Sequence, residues 1–176
     1  MSDLILVRPS KALEIKIQEY KQEYLDYGET NINGSCGLAR NNDFDEWIEL
    51  VLSIEKDKLR NNVHASTFFS IRKSDHRIIG TIQLRHSLTE ELEKHGGHLG
   101  YGIRPTERKK GYGKQQLLLV LEIARDMKFE KVMIICDKDN VASSQTAISC
   151  GGILAGENFF EGKEQQIYWI SLQPIN

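Results

Sequence analysis

Paired cysteines are missing from this sequence: Cys36, Cys136 and Cys150 are odd in number, and none belongs to a Cys-x-x-Cys pair. That favours reduced thiols in a cytosolic protein over a disulfide framework. A surplus of one charge is missing too. The formal net charge of -2 argues against a general nucleic-acid binder, which is usually basic. No apolar run nears the length that crosses a bilayer. The opening residues Met-Ser-Asp-Leu-Ile-Leu-Val-Arg-Pro are too short and too acidic for a signal peptide. Internal repeats, low-complexity tracts and domain boundaries are absent as well. The expectation is one cytoplasmic domain over 1–176, with no nucleic-acid partner and no membrane. Its 176 residues, 40% hydrophobic and 27% charged, suffice for a core of their own.

What the chain does have is a local concentration of charge. From Arg104 to Lys114 it carries five cations (Arg104, Arg108, Lys109, Lys110, Lys114) against one anion, Glu107. Within this span Arg108-Lys109-Lys110-Gly111-Tyr112-Gly113-Lys114 separates a predicted strand from a predicted helix. A helix start exposes unbonded N–H groups and the positive end of the helix dipole, so it suits an anion. Gly111 and Gly113 carry no side chain to hold a bulky phosphate off that backbone. The spacing predicts a loop that holds a pyrophosphate.

The elements around the loop follow from periodicity. Leu4 to Val7 reads as a strand, and Ser10 as the cap of a helix with Leu13, Ile17, Tyr20, Tyr24 and Tyr27 at helical spacing. Residues 31–42 form a Gly- and Asn-rich loop. Asp43 and Glu46 open a second helix, with Phe44, Trp47, Ile48, Val51 and Ile54 as its buried stripe and an end that frays near 60–62. Thr67 to Arg72 and Arg77 to Arg85 form a hairpin that places Ile78, Gly80, Ile82 and Leu84 on one face. A short helical stretch around Leu88 to Leu92 precedes a strand from His98 to Ile103. A helix from about Gly113 to Lys128, apolar on more than one side, leads to a buried strand, Val132 to Cys136. A short helix from Ala142 to Cys150 and a hairpin of Ile153 to Phe160 with Gln165 to Leu172 close the chain.

Two nucleotide loops are excluded by what the motif lacks. A P-loop needs Ser or Thr after Gly113-Lys114, where Gln115 stands, and a dinucleotide fingerprint needs a glycine where Gln116 stands. The pattern Arg108-x-x-Gly111-x-Gly113 fits another class. With Gly100-Tyr101-Gly102-Ile103-Arg104-Pro105 before it, and Asn140-Val141-Ala142-Ser143 leading to Gly151-Gly152 after it, the chain resembles the GNAT superfamily of acyl-CoA-dependent N-acyltransferases along nearly its whole length. The resemblance implies an α/β (α+β) fold: a twisted, mostly antiparallel sheet around a central splayed parallel βαβ unit, flanked by helices. It implies acetyl-CoA as co-substrate and no metal. The backbone from Lys109 through Lys110, Gly111, Tyr112 and Gly113 to Lys114, with Arg108, would hold the coenzyme pyrophosphate. Ile103 and Arg104 would pair with the pantetheine arm, and Asn140 and Ser143 would contact the coenzyme from the second-motif helix.

Transfer to an amine needs that amine neutral, although its ordinary pKa is about 10.4. The resemblance offers His98 as candidate base, and the backbone N–H of Ile103 as the oxyanion contact. Its usual acid, a tyrosine four residues before Gly151, is Ala147 here. Tyr168, Cys150 and solvent are the alternatives for protonating the thiolate. His98 shares strand parity with Gly100 and Gly102, and so faces away from Ile103 on an ideal strand. His86, His95 and His98 with Cys36 lack the tight spacing of a zinc site. The tyrosines of the first helix, with Phe44 and Trp47, read as core. Arg85, His86, His98 and Tyr101 surround the expected acceptor pocket, which suits a small polar amine, an amino acid or a peptide end. The function expected is N-acetyl transfer to a primary amine of a small molecule or peptide, by a monomer or homodimer. The alternative is an acyl-CoA-binding sensor with little catalysis.

Overall fold

The computed structural model describes residues 2–57 and 62–173; most of the expected fraying point of the second helix lies outside them. Among the described residues seven strands form two antiparallel sheets. Leu4–Val7 (β1), Ala65–Arg72 (β2), Ile78–Arg85 (β3) and Leu99–Ile103 (β4) make the first, in the order β1-β2-β3-β4. Lys131–Asp137 (β5), Ile153–Phe160 (β6) and Lys163–Ser171 (β7) make the second, in the order β5-β7-β6. The α-helices are Glu14–Asp26 (α1), Phe44–Lys56 (α2), Glu90–His95 (α3), Tyr112–Asp126 (α4) and Val141–Ser149 (α5). This is the mixed architecture expected. No helix of the described residues is long and apolar enough to cross a membrane.

Local chemistry sets most of the element ends. Asp43 caps α2 by accepting the Glu46 N–H at 3.0 Å, and the predicted stripe from Phe44 to Ile54 is buried. Ser10 behaves differently. It precedes a 3-10 turn, Lys11–Leu13, its side chain makes no capping bond, and α1 begins only at Glu14. Ile17, Tyr20 and Tyr24 form the buried face of α1, while Tyr27 stays at the rim, 58% exposed.

Separate cores cover the two faces of the first sheet. Phe69, Ile71 and Ile78 pack with α1 and α2 on one side. Phe68, Ile82, Leu84 and Leu99 meet Leu117 and Val120 of α4 on the other. The expected common face of Ile78, Gly80, Ile82 and Leu84 therefore breaks at Ile78. A bulge is the cause: Ser70 pairs with Gly80 but Ile71 pairs with Ile78, so the parity of β3 inverts there.

The two sheets meet where β4 approaches β5, with α4 connecting them. Their pairing is reduced to one bridge of antiparallel geometry, Gly97 with Ile134, and a bond from the His98 N–H to the Met133 carbonyl at 2.9 Å. Gly97 lies at φ +65°, a turn most side chains resist. From Leu99 onward, β4 pairs only with β3 among the described residues. Beyond the bridge the sheets part, and one edge of β4 stays open.

Candidate active site

Register decides which backbone groups face the opening. The Arg85 N–H donates to the His98 carbonyl and the Arg104 N–H to the Ile79 carbonyl. Bonded pairs alternate along an antiparallel ladder, so Gly100 and Gly102 also bond to β3, while Leu99, Tyr101 and Ile103 turn their N–H and C=O groups away from it. The Ile103 carbonyl accepts from Tyr24 Oη at 2.8 Å and Arg108 Nε at 3.0 Å. The N–H groups of Tyr101 and Ile103 have no acceptor among the described residues.

The cationic loop lies at the head of this edge. Lys109 at φ 62° and Gly111 at φ 80° are both left-handed, a geometry that curls successive N–H groups into a nest for an anion. Gly111 is the N-cap of α4, without a side-chain capping bond. The N–H groups from Lys109 to Lys114 find no acceptor among the described residues, and the helix dipole points at the same spot. The two glycines serve different ends. Gly111 has open space where a Cβ would stand, and its positive φ is what requires glycine. Gly113 packs α4 on α5, because a Cβ there would lie 3.2 Å from Thr146 Oγ1.

Much of the local positive charge is already neutralised. Arg104 Nε meets Glu23 at 2.6 Å, Arg108 forks onto both Glu29 oxygens at 2.6 and 2.7 Å, and Lys110 meets Glu107 at 3.0 Å. Glu107, buried, also accepts from Arg72 and Arg77. Burial opposes ionisation of Glu23, but hydrogen bonds from Arg104 and Thr106 outweigh it and hold the carboxyl at about 2. Lys109 and Lys114 have no ion pair among the described residues. An anion here meets backbone N–H groups and these two lysines; the side chain of Arg104 is committed elsewhere.

The segment 39–153 matches a family model described as an acetyltransferase (GNAT) domain. The chain belongs to the GNAT acetyltransferase family. Solved structures share the fold at low identity. The microcin C7 self-immunity acetyltransferase MccE, in complex with acetyl-CoA and AMP, is 18% identical over 96% of this chain and 92% of its own, with a TM-score of 0.69. The ribosomal-protein-S5-alanine acetyltransferase of Vibrio fischeri is 12% identical over 99% and 97%, with a TM-score of 0.71. The dodecameric spermidine N-acetyltransferase of Vibrio cholerae is 15% identical over 97% and 94%, with a TM-score of 0.65. No curated protein matches the chain in sequence.

In this GNAT chain the second motif is tied up internally. Asn140 caps α5, accepting the Ser143 N–H at 3.2 Å. Ser143 Oγ lies 2.9 Å from Tyr101 Oη, which also donates to the Ser143 carbonyl at 3.2 Å. Tyr101 thus spans the gap from β4 to α5, a contact invisible in sequence because it depends on where the second sheet sits. Tyr168 reaches the same turn of α5 from β7. It is buried, lies beside Ser144, and donates to Gln166 Oε1 at 2.8 Å. Burial raises both phenols, so each keeps its proton at neutral pH. Ala147 is wholly buried, and its carbonyl would lie 2.7 Å from a Cβ on Gly152. The Cys150 thiol points at the Lys114 carbonyl, 3.8 Å away, and burial raises its pKa, which marks a packing group rather than a nucleophile.

His98 sits at the joint of the sheets. Its Nδ1 accepts the Met133 N–H at 2.9 Å, and its ring stands edge-on to Phe129 and Trp169. Burial, with a lesser contribution from Arg85, lowers its pKa to about 4. Five residue steps separate it from Ile103, roughly 17 Å along an extended chain. The other histidines lie elsewhere: His86 stacks on His64 with its Nε2 2.8 Å from Ser66 Oγ, and His95 stacks on Phe160.

Glycines also seat the loop between α1 and α2. A Cβ on Gly34 would lie 2.3 Å from the Gly100 carbonyl, and one on Gly102 would lie 3.0 Å from Tyr24 Oη. The residues 31–37 consequently rest on the β4 backbone, and beside them opens a cavity of about 190 Å³.

Proposed function

We propose that this chain transfers an acetyl group from acetyl-CoA to the primary amine of a small molecule or peptide, by direct attack in a ternary complex. The observation that carries this is the succession of two sets of unbonded N–H groups, those of Lys109 to Lys114 and those of Tyr101 and Ile103 on the open edge of β4. A pyrophosphate on the first row lays the pantetheine amides along the second as an added strand. The thioester then reaches the gap, where the Ile103 N–H stabilises the oxyanion, with the Tyr101 N–H on the same edge. Tyr168 is our proposed donor to the departing thiolate, since its phenol is protonated and borders the α5 turn where the family's usual tyrosine is absent. His98 fits a structural part better than that of base: Nδ1 is occupied and the ring is held neutral at the joint. The amine then loses its proton through water or to a group of the acceptor itself. We place the protein in the cytoplasm, as monomer or homodimer.

The buried Ala147 is the observation that favours the second reading, an acyl-CoA-binding domain with little turnover. Release of free thiol from acetyl-CoA across a panel of amines separates the two. Gly111→Glu should abolish acetyl-CoA binding, since it sets a carboxylate at the nest, while the fold persists at a cost of about 1–2 kcal/mol for a side chain at positive φ. Unchanged affinity in a folded Gly111→Glu protein would overturn the assignment.

A further inference from the structure

The cavity beside the 31–37 loop has an unusual charge. Among the described residues Asn31, Asn33, Cys36, Gln83 and Arg85 line it with apolar neighbours, and none of the described lining residues is acidic. Arg85 comes from the last position of β3. Its Nη1 donates to the carbonyls of Gly96 at 3.1 Å and Gly97 at 2.9 Å, which fixes the plane of the guanidinium. Its Nη2 and Nε have no acceptor among the described residues. Nη2 would lie 3.9 Å from a Cβ on Gly100, so the guanidinium lies over β4 one residue before Tyr101, whose N–H faces the thioester gap.

Arg85 differs from the arginines gathered around the other end of β3. Arg72, Arg77, Arg104 and Arg108 each meet a glutamate within 3.1 Å. A half-buried guanidinium with one edge bonded and the other open is a side-on fork, and carboxylates dock on such a fork through two parallel hydrogen bonds. The desolvation cost of a cation without an acid is offset when a ligand brings the acid.

We propose that the acceptor is an amine that also carries a carboxylate, and that Arg85 is the residue that reads it. The proposal rests on the acetyltransferase reading of the site and narrows it. Two sources share this chemistry: a free amino acid, and a peptide whose N-terminal segment bears Asp or Glu. Polyamines are disfavoured, because their charge matches that of Arg85.

The test uses the full chain with saturating acetyl-CoA and matched acceptors: amino acids against their amides, acidic against neutral N-terminal peptides, and spermidine. The carboxylate member of one pair should show at least a tenfold higher kcat/KM, and which pair does so identifies the source. Arg85→Gln should bring that member down to its neutral partner through KM, while Arg85→Lys, which keeps the charge but loses the fork, should retain part of the preference. Acetyl-CoA affinity, measured by calorimetry, should stay at the parent value in both variants, showing an intact fold. A preference that survives Arg85→Gln, or spermidine as the best acceptor, overturns the proposal. Titrating the same pairs into the protein–acetyl-CoA mixture reads Arg85 without turnover. Equal binding of acid and neutral members sinks the proposal, whereas acid preference without thiol release sinks only the acetyltransferase reading.

Discussion

The hydroxyl of Tyr24 on α1 closes on the carbonyl of Ile103, the last residue of β4, at 2.8 Å, and Tyr20 Oη backs it at 3.3 Å. A residue that reads as helix core in sequence thus holds the end of the strand on which the acyl donor is proposed to lie. Tyr24→Phe removes one buried bond and leaves the ring in place. It should cost about 1 kcal/mol, a fall in Tm of about 2–4 °C for a domain of this size, and acetyl-CoA should bind more weakly. An unchanged Tm together with an unchanged Kd would detach α1 from the donor site.

Glu23 makes stability depend on acidity. Its carboxyl ionises at about 2 in the folded chain, against an ordinary 4.5, so between those values the folded state binds fewer protons than the unfolded one. Its contribution is whole above about pH 4.5 and is lost as pH falls towards 2. Thermal scans from pH 6 to pH 2.5 should show a steeper decline in the parent protein than in Glu23→Gln. Parallel declines would mean that the Arg104 and Thr106 bonds do not hold the charge.

His98 gives a second, higher window. With a folded value of about 4 against an ordinary 6.5, it stays neutral where the unfolded chain takes up a proton, and stability falls as pH drops from about 6.5 to about 4. His98→Asn can accept the Met133 N–H through its amide oxygen. It should remove that part of the decline and leave kcat within about threefold. A loss of about 100-fold or more, the size of a lost general base, would return the catalytic role to His98.

Tyr168→Phe addresses the thiolate. If the phenol donates the proton, kcat should fall by about tenfold or more with KM for acetyl-CoA unchanged, and the alkaline limb of the kcat profile should move. A parent-like kcat with a lowered Tm would assign the proton to solvent and leave Tyr168 a packing group.

Features written in local periodicity or turn chemistry were legible in the sequence. The stripe from Phe44 to Ile54, the Asp43 cap and the order of elements follow from neighbours within a few residues. The loop from Arg108 to Gly113 was legible because two glycines at a fixed spacing stand among cations at the start of a helix. Long-range pairing was not. Arg104, Arg108 and Lys110 look like free cations until folding brings in Glu23, Glu29 and the buried Glu107. The inward turn of Ile78 depends on a bulge at Ile79 that shows only once β3 is paired with β2. The contact of Gly34 with Gly100 had only one signal, glycines at both positions, which a reader of single elements assigns to loop and strand separately.

The thin joint at Gly97 and His98 has a mechanical consequence. Two blades fastened at one end and spanned by α4 act like a clothes peg, least stiff along the line a pantetheine arm would occupy. A ligand gripped there should brace both blades. Amide exchange in β6, which supplies no proposed contact to acetyl-CoA, should therefore slow when the donor binds and recover when it leaves. The speed at which the peg reopens would then limit how fast spent coenzyme is replaced.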